Sequence, residues 1–324
     1  MKPVLRWGIL GTGMIAGKFA EELPFSETGR LVAVGSRTIG GAEAFANRFG
    51  GVRAHGDYAS LLADPEVDAV YISTPHPFHA EWACAAARAG KHILCEKPLA
   101  MSVEEVRAVV DEARRSGVFL MEAFMYKCHP RTTRIAELVR EGVVGKVRLI
   151  EAAFSFAVAF DPGSRLFNKE LGGGGILDVG CYTMSVARMV AGAASGKRFE
   201  NPSRVLGVTV PAPTGVDALA AATLEFPGGV LGQVFCGVGL LREHDLQIIG
   251  EEGRIRVPHL WNPPGQIEVY RGDELTIESA CGSVHKYALE ADAVAQALPG
   301  FESPHMSWED SLGNAAALDA WRAV

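Results

Sequence analysis

The 324-residue sequence contains no stretch of ~18 residues without polar interruption, so no helix of the kind that crosses a bilayer is expected. Its six cysteines, Cys84, Cys95, Cys128, Cys181, Cys236 and Cys281, form no C-x-x-C pair and show no His/Cys spacing of the zinc kind. They read as buried apolar thiols in a reducing compartment, and no metal is expected. No Lys/Arg cluster rises above a background of 31 basic and 38 acidic residues with a net charge of −7, which argues against a nucleic-acid footprint and for small-molecule partners. Internal repeats and low-complexity tracts are absent. The first apolar run starts almost at Met1, but it is short and breaks at a glycine-rich turn rather than at a small-residue cleavage site, which reads as a mature cytoplasmic N-terminus.

What is present is an ordinary globular composition, 48% hydrophobic and 21% charged, in a chain longer than one hydrophobic core usually supports, so two domains are expected. From residue 5 to about 125, short apolar runs (5–10, 31–34, 69–73, 92–95, 119–122) alternate with amphipathic segments (15–23, 42–49, 80–89, 103–115). Such alternation reads as a parallel sheet with helices on both faces, and runs that are apolar without period-two alternation fit strands covered on both sides. Beyond 125 a helical stretch, 131–141, leads into consecutive strand-like runs at 147–156, 203–210, 218–226, 230–238 and 246–249, with turn signals such as Pro227-Gly228-Gly229. This pattern predicts an α+β domain, and helical patterns return at 286–298 and 308–324. The expected division is an α/β domain over 1–125 and an α+β domain over 126–324, with the packing partner of the terminal helix left open.

Between the first strand and the first helix lies Gly11-Thr12-Gly13-Met14-Ile15-Ala16, a G-x-G-x-x-A turn in strand–turn–helix context. Gly11 permits the tight turn, Gly13 lets the backbone approach a pyrophosphate, and Ala16 allows close helix–strand packing. The helix N-terminus at Met14 and Ile15 then presents unpaired N–H groups and a partial positive charge to the phosphates. The second strand is followed by Gly35-Ser36-Arg37-Thr38, where a carboxylate for the adenosine ribose would normally stand. Ser36 can hydrogen-bond a ribose 2′-phosphate and Arg37 can clamp it, so NADP is favoured over NAD. An Arg37 that is solvated or stacked on adenine leaves that preference unresolved.

At the end of the run 92–95 comes Glu96-Lys97-Pro98. Proline holds its predecessor extended and stops the strand ladder, placing Lys97 at the carboxyl edge of the sheet, where ligands bind in open α/β folds. Beside an oxidised nicotinamide and partly desolvated, Lys97 is expected to have a lowered pKa and to exchange a proton with a substrate hydroxyl. Further on, Gly172-Gly173-Gly174-Gly175 opens an apolar helix that carries Asp178 and Tyr182 on one face. Four glycines cost backbone entropy and make sense where something lies very close to the chain. A carboxylate and a phenol pointing together into a cleft can orient a substrate hydroxyl and polarise its oxygen. The alternative readings remain a surface lysine at 97, a local cap at Asp178 and a core tyrosine at 182.

The G-x-G-x-x-A turn, the Glu96-Lys97-Pro98 tripeptide and the Gly-Gly-Gly-x-x-x-Asp-x-x-x-Tyr helix start together resemble the glucose–fructose oxidoreductase / inositol dehydrogenase / MocA family over essentially the whole chain. Many members have His where Tyr182 stands. The tyrosine, Met121-Glu122-Ala123-Phe124-Met125 and Arg165-Leu166-Phe167 are more similar to the branch of dimeric dihydrodiol dehydrogenases and NADP-dependent xylose dehydrogenases. The resemblance implies a Rossmann domain followed by an α+β domain with an open, mostly antiparallel sheet whose outer face makes homodimer or homotetramer contacts. It implies catalysis by Lys97, Asp178 and Tyr182, with Arg165 reaching the substrate or forming a surface ion pair. Ser73, Thr74 and His79 become ribose or nicotinamide contacts, joined by His76, Glu96, Lys97 and Phe124, although the run 121–125 otherwise reads as core. The implied reaction is hydride transfer between nicotinamide and a sugar-like alcohol or carbonyl, first an aldopyranose dehydrogenation of the xylose type. Keto-sugar or anhydro-sugar reduction, trans-dihydrodiol oxidation, and a non-catalytic dinucleotide sensor are the alternatives.

Overall fold

The computed structural model describes residues 4–262, 265–279 and 284–323; Met1–Pro3, Cys281 and Val324 lie outside them. The chain divides into two units, Met1–Cys128 with His285–Leu312, and His129–Val284 with Gly313–Val324.

In the first unit six strands, β1 (Leu5–Leu10), β2 (Gly29–Gly35), β3 (Arg53–His55), β4 (Ala69–Ile72), β5 (His92–Glu96) and β6 (Leu120–Ala123), form one sheet in the order β3-β2-β1-β4-β5-β6, every pair parallel. Helices α1 (Met14–Glu22), α2 (Ile39–Arg48), α3 (Tyr58–Leu62), α4 (His79–Arg88) and α5 (Val103–Ser116) connect them. Strands β4 and β6 are buried along their whole length, which fits the apolar run of β4 and leaves Glu122 as the one charged residue of β6. Helix α5 carries its boundaries in sequence: Ser102 accepts the Glu105 N–H, Glu104 and Glu105 occupy the first turn, Arg114 and Arg115 the last, and Gly117 ends it at φ 65°. The core stacks Phe19 on Tyr71 at 4.0 Å, with Trp7 edge-on to Phe19 at 5.4 Å. Because β1 lies between β2 and β4, the strand order reverses at its carboxyl end, the crevice where ligands settle in such sheets.

Helix α8 (Lys286–Ala297), late in the sequence, belongs to this first unit. Asp292 accepts the Ser26 hydroxyl at 2.6 Å and the Thr28 hydroxyl at 2.5 Å, Glu22 accepts the Tyr287 N–H at 2.8 Å, and Phe25 stacks on His285 at 3.6 Å. Helix α9 (Trp308–Arg322) is shared, its residues to Leu312 grouping with the first unit and those from Gly313 with the second.

The second unit holds α6 (Pro130–Arg140), α7 (Cys181–Ala194) and eight strands: β7 (Val147–Ser155), β8 (Arg204–Pro211), β9 (Asp217–Phe226), β10 (Val230–Gly237), β11 (Leu246–Gly250), β12 (Arg254–Val257), β13 (Gln266–Arg271) and β14 (Glu274–Ser279). Their order is β14-β13-β12-β11-β7-β10-β9-β8, antiparallel throughout except for the parallel β7–β10 pair. The open, mostly antiparallel sheet expected from the resemblance is therefore present. Helix α7 packs on β7 and β10, burying Ile150, Val234 and Cys236 beneath it. Among the described residues no helix is long and apolar enough to cross a membrane.

Candidate active site

The first unit gathers its candidate site residues at one edge of its sheet. After β1 the chain turns at Gly11, φ 109°, a conformation that L side chains avoid, and the Gly11 N–H donates to Gly35 O at 3.0 Å. Gly13 caps α1 without a side-chain bond, no acidic residue occupies the first turn, and a Cβ added at Gly13 meets nothing within 4 Å. The first N–H groups of α1 thus face open space beside Met14, 84% exposed, and the half-buried Ile15. This cradle fits a pyrophosphate. At the end of β2, Ser36 is half-buried with its hydroxyl 3.4 Å from that of Thr12, and Arg37 is exposed. Helix α2 begins directly after, capped by Thr38 and without an acidic first turn. An exposed guanidinium, a hydroxyl and a helix N-terminus with no carboxylate suit a phosphorylated ribose better than a bare diol.

The loop after β4 is tied into the sheet. The Ser73 hydroxyl donates to Leu10 O at 3.0 Å. Thr74 is buried, and its hydroxyl finds no hydrogen-bond partner among the described residues, an orphan that a ribose or nicotinamide amide would satisfy. His76 is buried in a single turn of 3-10 helix, its ring edge-on to that of His79 at 5.7 Å. His79, with no exposed surface, spans two carbonyls: Nε2 lies 2.7 Å from Thr74 O and Nδ1 lies 2.7 Å from Pro98 O.

Strand β5 delivers Lys97. Glu96 is buried and accepts the Tyr71 hydroxyl, and burial pushes the Tyr71 phenol well up. Lys97 itself is partly exposed, the Lys97–Pro98 peptide is cis, and the Leu99 N–H that follows donates to Glu122 Oε1 at 2.9 Å. Phe124 is buried, edge-on to Tyr126 at 6.1 Å.

The second unit holds Arg165, Asp178 and Tyr182. Asp178 lies in a π-helical turn, Ile176–Gly180, that runs directly into α7, so it and Tyr182 remain one turn apart although the hydrogen bonds there are one residue wider than in an α-helix. Both guanidinium Nη atoms of Arg165 donate to Asp178 Oδ1 at 3.2 Å, fixing a carboxylate that is 5% exposed. The neighbour that the glycine run accommodates is the chain itself. At Gly174, φ 113°, an added Cβ would lie 2.3 Å from Asp217 Oδ1, and Asp217 Oδ2 accepts the Ile176 N–H at 2.6 Å.

Tyr182 also stands in an aromatic cluster that no sequence motif marks. Phe154 from β7 is edge-on to it at 5.3 Å, Trp261 edge-on at 5.4 Å, and Phe154 stacks on Trp261 at 5.2 Å and tilts against His244 at 4.9 Å. The Trp261 N–H donates to Ala153 O at 3.1 Å, anchoring the cluster to the sheet. Glu122 is marked in sequence only as part of the run 121–125; the sign that it does more is a carboxyl inside an otherwise apolar strand.

A parallel sheet with a glycine turn at its switch point and a lysine at its carboxyl edge, followed along the chain by an open, mostly antiparallel sheet, is the pattern of a dinucleotide-dependent oxidoreductase. Residues 5–124 match the Gfo/Idh/MocA oxidoreductase family with its NAD-binding Rossmann fold, and residues 132–256 match that family's C-terminal domain. The chain is 39% identical over 263 residues to the trans-1,2-dihydrobenzene-1,2-diol dehydrogenase of Danio rerio, covering 80% of this chain and 76% of that one. It is 34% identical over 320 residues to a D-xylose 1-dehydrogenase (NADP(+)) of Haloferax volcanii, covering 98% and 96%. Among solved structures it is similar to KijD10, a 3-ketoreductase from Actinomadura kijaniata in complex with NADP and TDP-benzene, with a TM-score of 0.87, 30% identity and coverage of 99% and 97%. The chain belongs to the Gfo/Idh/MocA family and is a nicotinamide-dinucleotide-dependent oxidoreductase.

Proposed function

We propose that this oxidoreductase uses NADP to move a hydride between the nicotinamide and a sugar-like secondary alcohol or its carbonyl, with an aldopyranose of the xylose type as the first substrate. The observation that carries this reading is the common edge of the first sheet: the Gly11 turn, the Thr74 loop and Lys97 leave β1, β4 and β5 at the same end, and His79 ties the last two together. NADP is favoured over NAD because Ser36 and the exposed Arg37 stand where a carboxylate would select a free ribose diol. The NADP in the KijD10 complex and in the name of the Haloferax dehydrogenase point the same way.

In this reading Gly11, Gly13, Met14 and Ile15 hold the pyrophosphate, and Ser36 and Arg37 hold the 2′-phosphate. Ser73, Thr74 and His76 meet the ribose and nicotinamide, while Glu96, His79 and Phe124 shape that pocket from behind. The bound nicotinamide supplies the hydride acceptor or donor. Lys97 and Tyr182 share the substrate hydroxyl, one of them taking its proton as the carbon–hydrogen bond breaks, and Asp178, held by Arg165, orients a neighbouring hydroxyl. Of the division at 125, residues 1–125 carry the cofactor and the stretch from 126 carries substrate contacts and the oligomer interface, except that α8 groups with the first unit. Exposed Val208, Val210 and Leu231 on the second sheet, at 69%, 57% and 47%, support a homodimer or homotetramer through its outer face. A cytoplasmic location fits the scattered thiols.

The Phe154, Trp261 and His244 cluster around Tyr182 favours a second reading, oxidation of a flat trans-dihydrodiol, and reduction of a keto- or anhydro-sugar is a third. A panel of aldoses, polyols, trans-diols and keto-sugars, read by absorbance of the reduced cofactor with NADP and with NAD, separates them. Fastest turnover on an aldopyranose with NADP is expected; faster turnover on a trans-diol selects the second reading, and tight cofactor binding without turnover on any member would sink all three.

A further inference from the structure

The Pro98–Leu99 peptide, the second peptide unit beyond Lys97, is held at both ends by buried ionisable side chains. Proline has no N–H, so the Leu99 N–H is the first backbone donor beyond Lys97, and Glu122 Oε1 accepts it at 2.9 Å. The carbonyl of the same unit, Pro98 O, lies 2.7 Å from His79 Nδ1. The other ring nitrogen lies 2.7 Å from Thr74 O, so the imidazole is a strut between two loops, fully satisfied only when both nitrogens carry a proton. His79 has no exposed surface and Glu122 is 4% exposed.

Burying a carboxyl or an imidazole costs several kcal/mol unless hydrogen bonds offset it, and an apolar side chain would fill either space at less cost. Glu122 is set opposite Cys95 in the β5–β6 register, in a strand whose other residues are apolar. Its neighbours include the buried ion pair Lys127–Asp310 and Ser311, so the carboxyl sits in a polar pocket built around it. Packing does not require either group; what they have in common is the peptide they grip.

We propose that Glu122 and His79 are positioning residues that fix the plane of the Pro98–Leu99 peptide from its two ends and thereby set the height at which the Lys97 side chain leaves the sheet edge. The proposal rests on the reading of Lys97 as the proton-exchanging group. A small rotation of this peptide would swing Lys97 off its line to the substrate oxygen while leaving the glycine turn and Arg37 untouched.

The test uses the full-length enzyme with NADP and the best substrate from the panel, comparing Glu122→Met, Glu122→Gln, His79→Leu, the Glu122→Met/His79→Leu double variant and Lys97→Ala. Glu122→Met, which keeps shape but loses the acceptor, should lower kcat about ten- to a hundred-fold while the cofactor Kd and the cooperative melt stay close to wild type. Glu122→Gln, which keeps an acceptor oxygen, should recover kcat to within about threefold of wild type. Because both groups act on one peptide unit, the double variant should lose far less than the product of the two single losses. Unchanged kcat in Glu122→Met, equal damage in Glu122→Gln, or fully multiplicative losses overturn the proposal. Should Glu122→Met fail to fold, His79→Leu applies the kcat criterion alone, at saturating cofactor, from the other end, and normal kcat there overturns it. Near-normal turnover in Lys97→Ala would instead sink the reading of Lys97 itself. Loss in Lys97→Ala beside normal Glu122 and His79 variants sinks the positioning role alone.

Discussion

The Lys97 corner in the first unit and the Asp178 turn in the second both depart from regular structure at a proposed catalytic side chain, and they are held by different means. Around Lys97 the constraint is polar: Glu122 on the Leu99 N–H, His79 on the Pro98 carbonyl, Tyr71 on Glu96. Around Asp178 close packing is added to the Arg165 pair and the Ile176 N–H bond to Asp217, with Gly174 pressed so close to Asp217 that no Cβ fits and Tyr182 wedged among Phe154 and Trp261. A corner held by hydrogen bonds should tolerate changes of volume and respond to loss of a donor, an acceptor or a charge. A close-packed turn should do the reverse.

The largest stability effect expected from this contrast is at Gly174. Gly174→Ala adds a methyl 2.3 Å from Asp217 Oδ1 at a backbone φ of 113°, and should cost about 3 kcal/mol or more in urea unfolding. A loss below about 1 kcal/mol would show that the turn relaxes and that sterics do not hold it.

A comparable effect in the polar corner comes from pH. Burial raises the Glu122 carboxyl from 4.5 to about 7, against weaker lowering by Ser311, the Leu99 N–H and Lys127 and a further rise from Asp310. The folded protein then keeps this proton up to about pH 7, whereas the unfolded chain releases it near its ordinary value, so between the two the unfolded state binds fewer protons and stability falls as pH rises. The total is about 3 kcal/mol. Glu122→Gln should erase that decline, matching wild type near pH 4 and exceeding it near pH 8. Parallel pH–stability curves for the two proteins would refute the assignment.

The smallest expected effect lies in the aromatic cluster. Trp261→Phe removes the bond to Ala153 O but keeps an aromatic ring for Phe154, and should cost about 1 kcal/mol in unfolding. A loss above about 3 kcal/mol would mean that the indole fills space no phenyl can.

The features legible in sequence were those where backbone geometry demands particular residue types. Gly11 at positive φ, the proline after Lys97 and the glycine run before Asp178 each leave a trace because few residues can take those places. The close neighbour implied by the glycine run was correctly inferred as a necessity, but only the fold reveals that it is Asp217. Strands β3 and β12 are absent from the sequence reading because they are short, and β13 and β14 because charged residues such as Glu268, Arg271, Glu274 and Glu278 break up their apolar pattern. The pattern at 286–298 identified a helix without its partner; Asp292 and Tyr287, which dock α8 on the first unit, look like ordinary helix residues. The π-helical register at Asp178 is a hydrogen-bond pattern that sequence does not encode. Phe154, His244 and Trp261 are brought to Tyr182 by sheet topology alone.

The account turns on Lys97 as the amine that exchanges the substrate proton, and chemical rescue tests it most directly. Lys97→Ala should lower turnover by about two to four orders of magnitude with cofactor affinity nearly unchanged, and an added primary amine such as ethylamine should restore part of the loss in a concentration-dependent way. Turnover close to wild type in Lys97→Ala without added amine would contradict it.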